Sequence, residues 1–405
     1  MKLTCFKKIS ILLAVITVLF VPVSLSAADF GLVLNLHSGY SDTGSEDNTL
    51  DFKADIWPRY SLLIGDDGEF LVTAGVTLGI DDGFYFLPEL LQTELTMRFG
   101  SSQIRAGRIN YSDPLSFILE GLFDGVTYNY RSAAGNFSVG AFYSGFLYKR
   151  NIYITMTEKE KEDYAQPVDY GDFFGTYFAP GRAFLTLGYE HPSLGEFISF
   201  NAALIGQFDL SNSPDKYHNQ YLILKAGIPF SSFLLELGGS IEVSQSNSVG
   251  IAFAGEASFH WLFASEFNSR LSFNARIASG KTEDFCEAFI PITTKYYGFI
   301  YKHKMSALSV FSVNYTSRLT QSLGASVTGS YFVRNDLGTV LGYPTETGNN
   351  GFFLGPEFSA NVIWSPASDL QLNLGAGIFI PALGDAGPNE RINWRCELTV
   401  TMGIF

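Results

Sequence analysis

The stretch LDFKADIWPRYSLLI, residues 50–64, alternates apolar and polar side chains over most of its length. Successive side chains of a β-strand point to opposite faces, so Leu50 and Phe52 share an apolar face while Lys53 and Asp55 lie on the other. In a soluble sheet the apolar face would pack into the core and the charged face would meet water. In a membrane barrel the apolar face would meet lipid and the charged face would line a water-filled lumen.

The connectors between such segments distinguish the two alternatives. Tight polar turns such as 65–68 (GDDG) alternate along the chain with longer connectors such as 149–181 and 280–306. Outer-membrane barrels have short periplasmic turns and longer outer loops, an asymmetry that a sandwich or a propeller does not need. The segments therefore predict an all-β fold, a transmembrane antiparallel up-and-down β-barrel of about 18 strands, with about 16 as the alternative.

The composition agrees with a membrane barrel. Aromatic residues make up 15% of the chain, charged residues only 16%, and there are 40 glycines. After the N-terminal segment, no apolar run approaches the roughly 18 residues that a transmembrane helix needs. Only alternate residues of a barrel strand face lipid, so hydrophobicity is spread thinly along such a chain. The net charge of −14 argues against nucleic acid as a partner.

The N-terminus has the pattern of a secretory signal peptide. A basic segment with three lysines is followed by an uninterrupted apolar run, 9–23, and then by small residues suited to cleavage. We therefore predict a signal peptide over residues 1–28 and a barrel over residues 29–405, located in the outer membrane of a diderm bacterium. An uncleaved anchor is the alternative, but the apolar run is short for a span of about 20 residues.

One stretch interrupts the alternation: GRINYSDPLSFILEGLFDGV, residues 107–126. Asp113 followed by Pro114 is a favourable helix start, because a capping side chain precedes a proline at the first helical position. Apolar residues then recur at roughly helical spacing. The stretch predicts a short helical loop insert near residues 113–122, folded into the lumen, where it would narrow a pore. An ordinary outer loop with a capped turn is the alternative.

The residues that flank this insert resemble the constriction loop of outer-membrane porins, including alginate-export-like channels. The matching residues are Gly107-Arg108 before the insert and Phe123-Asp124-Gly125-Val126 after it. The resemblance implies that Arg108 faces the narrowest point of a pore, with Asp113, Glu120 and Asp124 at or near it. Arg108 has the parity of the apolar residues before it, so a β-bulge would be needed to turn it inward.

The polar faces of the predicted strands supply further pore-lining candidates. A charge on the lipid face costs about 2–4 kcal/mol near the bilayer midplane, so alternation predicts that charged strand residues face the lumen. For any one of them, the alternative is a solvated wall of mutually neutralising charges with no role in selection. The wall candidates are Lys53, Asp55, Arg59, Glu94, Arg98, Arg276 and Arg395.

The connector 149–181 carries two further signals. Thr157 followed by EKEKEDYA predicts a capped, solvated helical turn. Five aromatic residues follow between positions 170 and 178. They could seal the barrel mouth, contact a ligand or bind another molecule, and packing against one another is the simplest interpretation.

No enzymatic activity, metal site or cofactor is predicted. The five histidines show no metal-ligand spacing. The chain also has no phosphate-binding loop and no GxSxG elbow. A strand face that lines a lumen is therefore expected to act on solutes by charge and size alone.

These features favour a porin-like channel for passive diffusion of small hydrophilic solutes or ions. The alternatives are an outer-membrane transporter of hydrophobic compounds and a surface adhesin that uses the long outer loops. The expected partners are outer-membrane lipid, small solutes and the barrel-assembly machinery, because a C-terminal aromatic such as Phe405 resembles the signal that this machinery recognises. A homotrimer would also bury part of an apolar outer face.

Overall fold

Eighteen antiparallel strands form one closed sheet in the computed structural model of the chain. The structure describes residues 28–42, 49–80, 84–195, 197–211, 216–245, 249–263, 267–282, 286–337, 351–386 and 391–404. The strands are β1 (Ala28–Asp42), β2 (Thr49–Ile64), β3 (Gly68–Ile80), β4 (Phe84–Phe99), β5 (Ser102–Ser112), β6 (Glu120–Ser132), β7 (Gly135–Tyr143), β8 (Arg182–Leu194), β9 (Ile198–Asp209), β10 (His218–Phe230), β11 (Phe233–Gln245), β12 (Val249–Leu262), β13 (Arg270–Ala278), β14 (Tyr296–Tyr297), β15 (His303–Lys304), β16 (Leu308–Arg318), β17 (Leu323–Arg334), β18 (Phe353–Ala367), β19 (Leu370–Phe379) and β20 (Asn393–Ile404).

The first and last strands close the barrel. β1 pairs antiparallel with β20, in a register that runs from Leu32 opposite Ile404 to Asp42 opposite Trp394. The other wall strands pair with their neighbours in sequence, and β13 pairs directly with β16 because β14 and β15 form a separate hairpin in the intervening loop. The predicted up-and-down barrel is confirmed, with 18 strands rather than 16.

Apolar side chains cover the outside of the barrel. Leu237, Ile241 and Phe253 are about half exposed, whereas Glu242 and Glu256 on the opposite face of the same strands are buried. An apolar belt around a closed barrel is the surface that a bilayer requires. The apolar faces therefore meet lipid and the polar faces meet the lumen, as the alternation predicted.

Aromatic rings gather on the outer surface near the short-turn end of the barrel. Phe233 stands 5.5 Å from Phe230 and 5.8 Å from Trp261, and the rings of Phe137 and Tyr189 are 5.1 Å apart. Aromatic side chains of membrane barrels concentrate at the membrane–water interfaces, where an apolar ring and a polar edge are both satisfied. These rings mark the periplasmic interface of the wall.

Among the residues that the structure describes, three long loops lie at the opposite end: 113–119, 144–181 and 279–307, the last described over 279–282 and 286–307. The second contains the short helices α1 (Lys149–Ile152), α2 (Glu158–Ala165) and α3 (Phe173–Tyr177), and a 3₁₀ turn, Pro381–Leu383, follows β19. Among the described residues, no helix has the length and apolarity to cross a membrane. Long loops at one end and tight turns at the other confirm the predicted rhythm of connectors.

Helix α2 begins where the sequence predicted a capped turn. The Thr157 hydroxyl accepts a hydrogen bond from the backbone N–H of Glu160 at 3.3 Å, and the Glu160 carboxylate accepts one from the backbone N–H of Thr157 at 3.0 Å. This reciprocal pair satisfies two N–H groups that a helix start otherwise leaves unpaired. The predicted cap is confirmed.

The insert near residues 113–122 is not a helix, so that detail of the prediction is wrong. The Asp113 carboxylate accepts hydrogen bonds from the backbone N–H groups of Leu115, Ser116, Ile118 and Leu119, at 2.7 to 3.0 Å. A helix cap binds N–H groups of the first helical turn only. This carboxylate also binds the N–H groups of Ile118 and Leu119, which lie beyond that turn. The chain therefore winds around Asp113 as a compact turn, with Ser116 at φ +56.

Candidate functional site

The three long loops, 113–119, 144–181 and 279–307, fold into the barrel. Their apolar side chains form one buried cluster with wall side chains. Because those wall side chains lie on the face opposite the lipid belt, the loops that contact them lie in the lumen. The cluster includes Leu115, Phe117, Ile118, Ile154, Met156, Phe289, Ile292 and Tyr301 from the loops, and Ile109, Phe123, Phe184, Ile205, Tyr221, Ile223, Phe332 and Phe379 from the wall.

Loop 113–119 crosses the lumen. It joins β5 to β6, yet its Leu115 side chain lies against Gly238 of β11, where a Cβ atom would be 2.4 Å from Leu115 Cδ2. Strands β7 to β10 separate β6 from β11 in the sheet, so the loop reaches well across the interior. Glycine at position 238 leaves the space that this close approach requires.

Hydrogen bonds join the three loops into one layer. The backbone N–H groups of Ile292 and Thr293 both donate to the carbonyl of Ile118, at 2.9 and 3.0 Å. The Lys304 ammonium donates to the carbonyl of Thr155 at 2.9 Å, which connects loop 279–307 to loop 144–181. Movement of one loop would therefore break contacts with the other two.

Buried charged residues of the wall anchor this layer. The Glu242 carboxylate on β11 accepts the backbone N–H of Ile290 at 2.8 Å, and Glu357 on β18 accepts N–H groups from residues 299–301. The Arg182 guanidinium on β8 donates to the carboxylate of Glu160 in α2 at 2.8 Å. These side chains lie on the inner face of their strands, and their bonds show that they hold loops.

The opposite arc of the wall, formed by β20, β1 and β2, carries partly exposed charges. Asp51 lies 3.2 Å from His37 and 3.4 Å from Arg395, and Lys53 lies 3.1 Å from Asp55. Lys53 keeps 39% of its side-chain surface exposed, whereas Arg182 on the loop-covered arc keeps 0%. Contacts with the loops therefore bury Arg182, whereas Lys53 remains accessible to water.

A second group of lumen charges lies closer to the short-turn end. Lys225 binds Glu256 at 3.0 Å, and Arg276 binds the same carboxylate at 3.3 Å while its guanidinium lies 5.0 Å from the centre of the Tyr297 ring. Tyr297 belongs to loop 279–307, so the loop layer contacts this group from above. Elsewhere on the wall, Glu94 of β4 binds Arg105 of the adjacent strand β5 at 2.6 Å.

The predicted wall candidates divide into two sets. Five of them have inward parity and form ion pairs: Lys53, Asp55, Glu94, Arg276 and Arg395. Arg59 and Arg98 have inward parity and are exposed towards the short-turn end. Their contribution to permeation stays a prediction.

Arg108 and Asp124 have the outward parity of β5 and β6, and their predicted position at the narrowest point stays a prediction. Their chain neighbours Ile109 and Phe123 belong to the buried lumen cluster, and β5 pairs with β6 without a register shift. The Arg108 guanidinium binds both Asp124 carboxylate oxygens at 2.9 Å, the carbonyl of Phe146 at 2.9 Å and the carbonyl of Leu90. Because β5 pairs with β6 without a register shift, the two residues keep their outward parity, and the pair neutralises itself.

Asp113 and Glu120 stand at the two ends of the 113–119 loop. Asp113 is buried beneath its own loop, and burial raises the pKa of its carboxyl group above the usual range, opposed by the N–H groups that it binds. Glu120 is more exposed and binds the ammonium of Lys295 in loop 279–307 at 2.9 Å. Asp113 thus shapes the loop, and a place for Glu120 at the passage stays a prediction.

Sequence reasoning did not single out the lysines of loop 279–307. Lys295 and Lys302 reach the lumen only because the loop folds inward, and no local pattern marks a loop lysine for that position. The described residues contain no group of three or more His, Cys, Asp or Glu side chains that could hold a metal ion. Charge and shape are therefore the chemistry that this site offers.

No family model matches the chain, and no curated protein matches it. Solved structures match it closely in fold. OccK2 (OpdF) of Pseudomonas aeruginosa, solved in complex with glucuronate, has a TM-score of 0.63 at 13% identity, covering 94% of this chain and 98% of that one.

Two further P. aeruginosa structures match the same barrel. OccK1 (OpdK) gives a TM-score of 0.62 at 12% identity and covers 94% of this chain and 99% of that one. OpdQ gives 0.60 at 15% identity, with 93% and 98% covered. At such low identity the likeness shows a shared fold, the 18-stranded barrel, over nearly the whole of each chain.

Proposed function

We propose that this chain is an outer-membrane channel of the porin type, through which small hydrophilic solutes or ions diffuse passively. A barrel of 18 strands is wide enough to hold an aqueous lumen. The observation that carries the proposal is the contrast inside that lumen: the loops bury wall side chains such as Phe184, Tyr221 and Phe332, whereas β20, β1 and β2 carry partly exposed charges. A narrow passage along this charged arc would admit small polar solutes.

The ligands of two similar proteins support this class of solute. OccK2 was solved with glucuronate and OpdK with vanillate, both of them small carboxylates. A passage lined by paired positive and negative side chains offers contacts to polar groups of either sign. The finer likeness to alginate-export channels stays a prediction from the flanks of the 113–119 loop.

Export and assembly follow the sequence predictions. We infer that residues 1–28 direct export as a cleaved signal peptide, and that the assembly machinery recognises the last strand through Phe405. Residues 1–27 and Phe405 lie outside the described residues. A homotrimer likewise stays a prediction, since the apolar outer face suits lipid and a second copy equally.

Transport of hydrophobic compounds is a weaker alternative. The apolar lumen side chains, such as Phe117, Phe184 and Ile223, are packed against one another with almost no exposed surface. A hydrophobic ligand would have to displace this packing, whereas a hydrophilic solute would meet the charged arc directly. The adhesin and the absence of enzymatic activity stay predictions.

The test is conductance of the purified protein in a planar lipid bilayer. We expect stepwise current increases as single barrels insert, and none when buffer with the same detergent is added alone. Folding is checked in parallel by the shift in gel mobility that heating causes in an intact barrel. A folded barrel that inserts and carries no current would contradict the proposal.

A further inference from the structure

We propose that Lys302, held at the tip of loop 279–307 by Glu357, determines the charge selectivity of the channel and is its contact for small anions, an inference that rests on the proposed channel function. The constriction is thereby assigned to this loop and not to the 113–119 loop. Five observations carry it.

A cluster of backbone N–H groups fixes the shape of the loop tip. The Glu357 carboxylate, 2% exposed on the inner face of β18, accepts hydrogen bonds from the consecutive N–H groups of Phe299, Ile300 and Tyr301, at 2.5, 2.9 and 2.7 Å. Convergent N–H groups of successive residues form an anion-binding concavity, here filled by a side chain of the wall. The backbone that carries Lys302 is therefore held in one conformation.

The next contact brings the tip along the inner wall to β19. The Phe299 ring lies over two glycines of that strand, where a Cβ atom at Gly375 would be 3.1 Å from the ring and one at Gly377 would be 2.9 Å from it. Larger side chains at these positions would push the ring away from the wall. The loop leaves the wall at β13, so it spans β16, β17 and β18 before it meets β19.

The strand register then places the tip beside the charged arc. Gly375 pairs with Glu397 of β20, Glu397 pairs with Gly39 of β1, and Gly39 pairs with Asp51 of β2. This row carries the ion pairs of Arg395 with Asp51 and Glu397. The tip of loop 279–307 therefore meets the row where the inner wall remains accessible to water.

Lys302 extends from this tip into the lumen. Its side chain is exposed, whereas those of its neighbours Tyr301 and His303 are buried. The charged groups that face it are Arg395 and Glu397 of β20, Asp51 of β2 and Glu357 of β18. The surrounding protein and the positive charge of Arg395 lower the pKa of Lys302 below its usual range.

The nearby carboxylates already have partners, and Lys302 does not. Asp51 and Glu397 bind Arg395, and Glu357 binds three backbone N–H groups. Among the described residues, no carboxylate lies within ion-pair distance of the Lys302 ammonium. An anion passing between Lys302 and Arg395 would therefore meet two positive groups, one of them uncompensated.

The experiment measures the reversal potential of single channels under a salt gradient. Lys302→Ala should lower the anion-to-cation permeability ratio about fivefold, the scale of one unit charge at contact distance in water, and Lys302→Glu should lower it further. Lys281→Ala is the matched control, because Lys281 belongs to the same loop and pairs with Glu287. Its reversal potential should equal that of the wild-type channel.

A second pair of variants tests the role of Glu357 as a positioning residue. Glu357→Gln keeps the side-chain size and removes the charge that gathers the N–H groups, so the permeability ratio should move in the direction of Lys302→Ala. In a Lys302→Ala background the same substitution should add no further shift, since its effect acts through the lysine. Gel mobility after heating confirms that each variant folds.

The outcomes separate this inference from the proposed function. Wild-type protein that folds and never conducts contradicts the channel itself. A conducting wild type whose reversal potential is the same in Lys302→Ala and Lys302→Glu overturns the assignment of Lys302 and leaves the channel intact. A Glu357→Gln shift that persists without Lys302 overturns the positioning role.

Discussion

At residue scale, Arg108 and Asp124 place two charges on the outer side of the wall. Their side chains bind each other in a bidentate pair, and Arg108 also donates to the carbonyls of Leu90 and Phe146. Leu90 precedes Leu91, the unpaired residue of a bulge in β4, so its carbonyl is available to this arginine. The pair thus joins the wall to the base of loop 144–181.

Arg108→Ala should destabilise the barrel without changing its selectivity. The substitution leaves the Asp124 carboxylate and two carbonyls without a donor at a poorly hydrated position, with an expected cost of about 2–4 kcal/mol. Urea unfolding followed by tryptophan fluorescence measures the loss. The reversal potential should stay that of the wild type.

The double variant Arg108→Leu/Asp124→Leu is the matching control. Removing both charges leaves no unpaired carboxylate, so much of the lost stability should return. A changed reversal potential in either variant would show that the pair does face the passage.

Arg108 also illustrates how far residue-level prediction extended. The alternation of β5 indicated that Arg108 lies on the outer face, and only the resemblance to a constriction loop implied the lumen. In the structure, β5 pairs with β6 without a register shift, so Arg108 keeps the face that the alternation indicated. Asp113 was correctly identified as a residue that binds backbone N–H groups. The Asp-Pro pattern does not reveal that its carboxylate also binds the N–H groups of Ile118 and Leu119. Those bonds depend on how the whole loop folds.

At the scale of elements, loop 279–307 contains a histidine whose burial makes the loop sensitive to acid. His303 is buried, its Nδ1 donates to the carbonyl of Lys304, and burial lowers its pKa from 6.5 to about 4. In an unpacked loop, His303 would titrate near its ordinary pKa. Between pH 4 and pH 6.5, His303 therefore binds a proton in the unpacked loop and binds none in the packed loop. The packed loop therefore loses stability as pH falls from 6.5 towards 4, by up to about 3 kcal/mol.

Channel recordings at pH 7 and pH 5 test this consequence. The wild type should show more frequent current transitions at pH 5, because the loop layer opens more often. His303→Phe keeps an aromatic ring beside Tyr301, to which His303 is stacked at 5.8 Å, and cannot titrate. If this variant responds to acid as the wild type does, another group is responsible.

Adjacent glycines of β11 offer a matched test of the 113–119 loop. A Cβ atom at Gly238 would be 2.4 Å from Leu115, whereas at Gly239, on the lipid side, the nearest atom would be 3.7 Å away. Gly238→Val should therefore push the loop from the wall, at a cost of about 1–3 kcal/mol, and alter single-channel conductance. Gly239→Val should conduct as the wild type; equal effects of both would indicate that strand geometry, not the loop, is being changed.

At the scale of the whole molecule, the two faces of the wall belong to different solvents. Phe273 lies on the lipid side of β13 with 45% of its surface exposed, and its neighbour Asn274 lies on the lumen side. Phe273→Lys should cost about 2–4 kcal/mol near the midplane and reduce the yield of folded barrel, whereas Asn274→Lys should fold normally. Comparable yields of the two variants, measured by gel mobility after heating, would contradict the assignment of the faces.

The sequence by itself determined the wall of this protein. Alternation with a period of two residues is a local property, so LDFKADIWPRYSLLI and similar segments predicted strands, faces and the closed barrel without knowledge of distant contacts. The tertiary structure alone decided the lumen. Leu115 meets Gly238, and Glu357 holds residues 299–301, through contacts between segments far apart in the chain, and those contacts set which charges remain accessible to water.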